Sequence, residues 1–263
     1  MNIFVFDIET VPDVEGGRKL YNLQDLSDAE VASAMQFMRR QETQGHSDFI
    51  RLYLQRVVCI SAVLRHQNQF KVWSLGDVHS SEAEIIERFF SGLEKLTPTL
   101  VSWNGSGFDL PVLHYRALLR GVPGVRYWEA GEGDNNFKYN NYLNRYHYRH
   151  TDLMDVLSAY QSRASAPLDD IATLLGFPGK MGMHGGKVWS CFLKGEVEAI
   201  RNYCETDVLN TYLVFLRFEL IRGKLTKQQY EEECDVVKSH LRQANKSHLN
   251  EFLDKWEMNT VAK

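Results

Sequence analysis

Four acidic residues in three distant segments, with a tyrosine four positions before the last acid, are the residues of this chain best suited to do chemistry together. They are Asp7 and Glu9 in NIFVFDIET, Asp109 in VSWNGSGFDLPVL, and Tyr203 with Asp207 in IRNYCETDVLNTY. Four carboxylates aimed at one point near neutral pH are stable only when cations neutralise them. Such a set reads as a metal site, and hard carboxylate oxygens suit Mg²⁺ or Mn²⁺.

The elements that must position these acids can be read locally. Ile3, Phe4, Val5 and Phe6 have the composition of a buried strand, and residues two apart on a strand share a face, so Asp7 and Glu9 point the same way. RNYCETDVLNTYLVFLRFEL has helical length and spacing, with Val208, Leu209, Tyr212, Leu213 and Leu216 marking its core face. Tyr203 and Asp207, at i and i+4, are then stacked neighbours. TLVSWN reads as a strand and GSG as a turn into a helix, with Asp109 near the helix start and Pro111 in its first turn. An acid there lies at a sheet edge, where the sites of α/β proteins collect.

FDIET, NGSGFD and YCETD resemble the three exonuclease motifs of the DEDDy branch of the DnaQ-like, RNase H-like 3′-5′ exonucleases. The likeness is greatest to the stand-alone exonucleases related to the proofreading domain of family-B DNA polymerases. It runs from residue 1 to about residue 220, with HTDLMDVL and LDDIATLLGFPGK in familiar order. It implies that Asp7, Glu9, Asp109 and Asp207 hold two divalent cations and that Tyr203 marks this branch apart from the one using histidine. By the same resemblance Asn104 and Phe108 contact a single-stranded 3′ end, and Thr10 follows the first motif as in the relatives. Lys180 or Lys187 would meet the scissile phosphate. Two departures stand out: a long insertion after FDIET and a helical C-terminal extension that the resemblance does not match.

The chemistry agrees with the residues. Hydrolysing a phosphodiester requires an activated water and stabilisation of the departing 3′ oxygen, and two metals about 4 Å apart can serve both. Tyr203, protonated at neutral pH, would orient the water by hydrogen bonding. The expected reaction is 3′-5′ release of nucleoside 5′-monophosphates from single-stranded DNA, with RNA or short oligonucleotides as the alternative substrates. Two rivals fare worse. A haloacid dehalogenase phosphatase would carry a second Asp where Glu9 stands, and a non-catalytic nucleic-acid-binding module would have lost a ligand.

At 263 residues, 44% hydrophobic and 24% charged, the chain reads as one globular α/β domain. The expected architecture is an RNase H-like mixed sheet of about five strands flanked by helices. Residues 1–222 form the nuclease, with a helical insertion at about 11–50, and residues 223–263 form a helical extension packed on it. No apolar run reaches membrane-spanning length and the first strand leaves no room for a signal peptide, so a cytoplasmic enzyme is expected, acting alone or with a separate protein partner. Cys59, Cys191, Cys204 and Cys234 show no zinc spacing and read as reduced thiols, Cys204 as inert packing on the helix face opposite the tyrosine.

The net charge of −4 excludes a protein that coats duplex nucleic acid by bulk electrostatics, but leaves room for a local binding surface. A candidate is the acid-free segment from Asn135 to His150, where Lys138, Arg145 and Arg149 interleave with Phe137, Tyr139, Tyr142, Tyr146 and Tyr148. Asp152 and Asp155, like Asp169 and Asp170, suit helix starts better than a metal. MGMHGGKV lacks the spacing of a phosphate-binding loop.

Overall fold

The computed structural model describes residues 1–261, with side chains described through residue 259. Five strands form one mixed sheet in the order β3-β2-β1-β4-β5: β1 (Asn2–Pro12), β2 (Gln55–His66), β3 (Gln69–Ser74), β4 (Thr99–Ser102) and β5 (His150–Asp152). β1 pairs antiparallel with β2 and parallel with β4, which in turn pairs parallel with β5. The mixed α/β fold with helices on both faces agrees with the RNase H-like expectation.

Alternation along β1 builds two cores. Ile3 and Val5 face a cluster with α9 (Val197–Ile221), α10 (Lys227–Ala244), α11 (Ser247–Val261) and α7 (Leu168–Leu175). Phe4, Phe6 and Ile8 face α3 (Glu82–Leu96), α4 (Asp109–Arg120) and α5 (Val125–Trp128). Asp7 and Glu9 therefore continue the face toward α9, as strand periodicity requires.

The sequence pattern gives α9 one core face; in the structure it is buried nearly all round from Tyr203 to Leu216. The reason is α10 and α11, whose Val237, Leu241, Leu249 and Phe252 are fully buried against its outer side. A helix covered by sheet on one side and helices on the other shows little amphipathic contrast.

The insertion begins while the first strand is still running, since β1 extends through Val11 and Pro12. It continues with α1 (Val14–Tyr21), capped by Asp13, and α2 (Asp28–Glu42), whose capping box joins Ser27 and Glu30. Asp13 also meets the buried guanidinium of Arg116 on α4, which pairs in turn with Glu82 on α3. A buried arginine held by two carboxylates ties the insertion to the nuclease core. The short α6 (Leu153–Leu157) and α8 (Val188–Leu193) complete the helices. No helix among the described residues is long and apolar enough to cross a membrane.

Candidate active site

The acids converge where β1 outruns β4. The β1–β4 pairing ends at Val5 opposite Val101, and β4 itself ends at Ser102. The backbone N–H of Ile8, left without a strand partner on that side, donates instead to Asp109 Oδ1 at 3.1 Å. Asp109, first residue of α4, is thus drawn into the gap between the strands beside Asp7 and Glu9. On the opposite edge the β1–β2 register slips between Glu9 and Thr10, which face Cys59 and Val57. Such a bulge re-aims side chains and is common beside active sites.

Tyr203 and Asp207 approach from α9. The phenol lies beside the Asp207 carboxylate, and Asp207 lies close enough to Asp7 and Glu9 to disfavour their ionisation. Glu9, Asp109 and Tyr203 are buried, while Asp7 and Asp207 remain partly exposed.

The electrostatics are those of crowded anions. Burial, then Asp109 and Asp207, hold the Asp7 carboxyl well above its usual range; burial, then Asp7 and Asp207, do the same for Glu9. Burial pushes Asp109 up to about 7 and Asp207 up to about 6. Burial, with Asp207 and Glu9 nearby, also keeps the Tyr203 phenol protonated. Among the described residues none of the four acids forms an ion pair, and the Glu9 side chain has no hydrogen-bond partner. A cluster of oxygen donors that repel one another and form no ion pair fits divalent metal, which lets all of them ionise.

Cys204 is buried with Cys59 in an apolar cluster, as a packing thiol is, yet it does not sit away from the acids. Its Sγ lies 3.5 Å from Asp7 Oδ2, and single donor atoms of Asp7, Glu9 and Cys204 fall within 4.8 Å of one another. Burial holds this thiol protonated, so it reaches Asp7 as a hydrogen-bond donor.

Beside the acids opens a cavity of about 570 Å³ lined by Glu9, Thr10, Asn104 and Phe108. Its other walls include Gln36, Asp48 and Phe49 of the insertion, and Trp189 of α8. The Phe49 and Phe108 rings stand 5.8 Å apart. Thr10 Oγ1 donates to Gln55 Oε1 at 3.0 Å. Asn104 sits in a left-handed turn at φ 63°, and a Cβ on Gly107 would come within 2.5 Å of its Oδ1, so only glycine leaves that amide in place. The turn is held by Asp152, which caps α6 as expected and also accepts from the Asn104 and Ser106 N–H groups at 2.9 and 2.8 Å. Phe49, Trp189 and this second role of Asp152 escaped the sequence reading.

The basic residues divide. Lys180 is exposed, and its charge favours the ionised form of Asp207. Arg145 pairs with Asp155 at 2.8 Å and lines a second cavity of about 310 Å³ on the far side of Gly107. Arg149 turns inward, with Nε donating to Asn140 O at 2.6 Å and its guanidinium 3.8 Å from the Phe137 ring centre. Phe137 and Tyr142 are core residues, whereas Tyr139, Tyr146 and Tyr148 are exposed.

No curated protein matches the chain. A family model described as "Predicted 3'-5' exonuclease related to the exonuclease domain of PolB" matches residues 47–256. That span includes Asn104, Phe108, Asp109, Tyr203 and Asp207 and leaves Asp7 and Glu9 outside it. It also takes in α10 and most of α11, so the C-terminal helices that the sequence resemblance left unmatched fall within the family's own extent. On this match the chain belongs to the family of predicted 3′-5′ exonucleases related to the exonuclease domain of PolB.

Proposed function

We propose that this protein is a metal-dependent 3′-5′ exonuclease that removes nucleoside 5′-monophosphates from single-stranded 3′ ends, with DNA as the favoured substrate and RNA or short oligonucleotides as the alternative. The observation that carries the reading is the meeting of Asp7, Glu9, Asp109 and Asp207 from three distant segments at one unpaired anionic cluster, with the Tyr203 phenol beside Asp207. Mg²⁺ or Mn²⁺ ions held by those four acids would supply an activated water and charge stabilisation at the departing 3′ oxygen.

The chain's own residues supply the rest. Tyr203, kept protonated, donates a hydrogen bond that orients the attacking water. Lys180, whose charge acts on Asp207, would meet the phosphate there. The 570 Å³ cavity has aromatic walls, amides, a hydroxyl and two carboxylates, and no Lys, Arg or His among its described lining residues. Its chemistry suits an uncharged nucleoside whose base stacks on Phe108 and Phe49 and whose hydroxyls meet polar groups. A second phosphate there would face Glu9 and Asp48. A terminal base must leave its stack to enter, at a cost of about 1 to 2 kcal/mol, so frayed ends should react about tenfold faster than matched duplex ends.

We take residues 1–222 as the nuclease and 223–263 as the extension that completes it, in a cytoplasmic enzyme. Degradation of labelled single-stranded DNA, matched RNA and short oligonucleotides, with Mn²⁺ or with chelator, tests the reading. Shortening from the 3′ end only in the presence of metal supports it, and an inert protein under both conditions refutes it.

A further inference from the structure

α9 carries two pairs of side chains at i and i+4. Tyr203 with Asp207 faces the acid cluster, and Arg201 with Glu205 is offset by two residues, about 200° around the helix, so it faces nearly the other way. The Arg201 guanidinium donates to the carbonyl oxygens of Ser74, Leu75 and Gly76 at 3.2, 3.1 and 2.9 Å. Glu205 Oε1 accepts from Ser74 N at 2.9 Å and Ser74 Oγ at 3.0 Å. These bonds fix the rotation of α9 against the end of β3. From Ser74 the polar row continues to Ser61 Oγ at 2.9 Å and on to Cys59, the strand partner of Glu9.

The Glu205 side chain is only 4% exposed, and its partners outside the sheet come from the start of α11 and the turn before it. Lys246 Nζ lies 3.1 Å and His248 Nε2 2.8 Å from Glu205 Oε2, and no other Lys, Arg or His side chain pairs with it among the described residues. A buried carboxylate whose Oε2 has lost its ion pair is strongly unfavourable even with the Ser74 bonds to Oε1 intact, and α9 would have to turn or shift to hydrate it. Rotation by about 20° moves a side-chain tip about 6 Å from the axis by about 2 Å. A shift of that size is enough to disable a reaction.

We propose that Lys246 and His248 are positioning residues: by holding the Glu205 charge in place they set the rotation of α9 that aims Tyr203 and Asp207 at Asp7 and Glu9. The C-terminal helices are on this account part of the active site's alignment. The inference rests on the reading of Tyr203 and Asp207 as reactive residues.

The test compares wild type, the double variant Lys246→Met/His248→Leu, and the triple variant that adds Glu205→Gln, all in the full chain. Mn²⁺ binding is measured by calorimetry, and turnover on the p-nitrophenyl ester of thymidine 5′-monophosphate. The double variant should lose about 10- to 100-fold in kcat with KM within about twofold, and about tenfold in Mn²⁺ affinity. The triple variant should recover most of both, because the charge that needed holding is gone. A folded double variant with wild-type kcat and Mn²⁺ affinity overturns the proposal, as does a triple variant no better than the double. If the double variant does not fold, Lys246→Met alone, at a side chain 46% exposed, should show a partial loss that Glu205→Gln reverses; wild-type values there overturn the proposal equally. A wild-type protein that binds Mn²⁺ but hydrolyses no ester refutes the nuclease reading, while the Mn²⁺ affinities of the variants still decide the positioning.

Discussion

Replacing Asp109 by asparagine should stabilise the metal-free protein while destroying its activity, and the stabilisation should grow with pH. The folded carboxyl is pushed up to about 7 from an ordinary value of 3.8, so between those values the native state holds a proton that the unfolded state has released. Stability from this group is therefore full below pH about 4, falls as pH rises, and is lost above about 7. The shift of about 3 units corresponds to about 4 kcal/mol at pH 8. Asn retains an oxygen to accept the Ile8 N–H and has no charge to bury. In a chain of this size about 4 kcal/mol corresponds to about 10 °C in Tm. Buried His114 and His150, both lowered to about 4 by burial, titrate in the opposite sense, but equally in both proteins, so they cancel in the comparison. Calorimetric scans in EDTA should show Asp109→Asn melting several degrees above wild type at pH 8 and close to it at pH 4. With Mn²⁺ at pH 8 the order should narrow or invert, because the ion binds the folded wild type. Equal or lower Tm for the variant in EDTA at pH 8, or one offset at both pH values, would refute the picture of a cluster held in repulsion.

Other outcomes follow from the same geometry. Tyr203→Phe should lower kcat about 100-fold and leave Mn²⁺ affinity within about twofold, since only the hydroxyl that orients water is lost; an unchanged kcat removes Tyr203 from the reaction. Phe49→Ala should lower kcat/KM on single strands by about 5- to 100-fold, the range of one stacked base, and spare bis(p-nitrophenyl) phosphate, which has no base. The same loss on both substrates would make Phe49 structural. Arg145→Ala should flatten the salt dependence of single-strand binding by about one unit of slope in an anisotropy titration. Arg149→Ala should instead lower Tm, because its guanidinium is spent on Asn140 and Phe137.

How much was legible depended on whether the signal was local. β1 and β4 announced themselves by apolar and β-branched runs, and the expected placement of Asp7, Glu9, Tyr203 and Asp207 followed from periods of two and four. β5 did not, because His150, Thr151 and Asp152 contain no apolar residue and their strand is set by pairing with β4 alone. α8 lay hidden behind the glycines of MGMHGGKV. Phe49 reaches Phe108 across a chain separation that no pattern spans, and Asp152 reads as a cap whether or not it also holds a distant turn. The charged faces of α10 and α11 suggested an appendage; what they cover is visible only once α9 is seen buried on both sides. Equal treatment of Arg145 and Arg149 was the natural reading of an acid-free loop, and folding separated them by direction.

The most direct test is the product released from a 5′-labelled single-stranded oligonucleotide in Mn²⁺ by wild type, Asp7→Ala and Asp207→Ala. The account predicts a ladder shortening from the 3′ end with nucleoside 5′-monophosphates as product, and at least about 1,000-fold slower release by either folded variant. Wild-type rates in both variants, or a product with its phosphate on the 3′ oxygen, would contradict it.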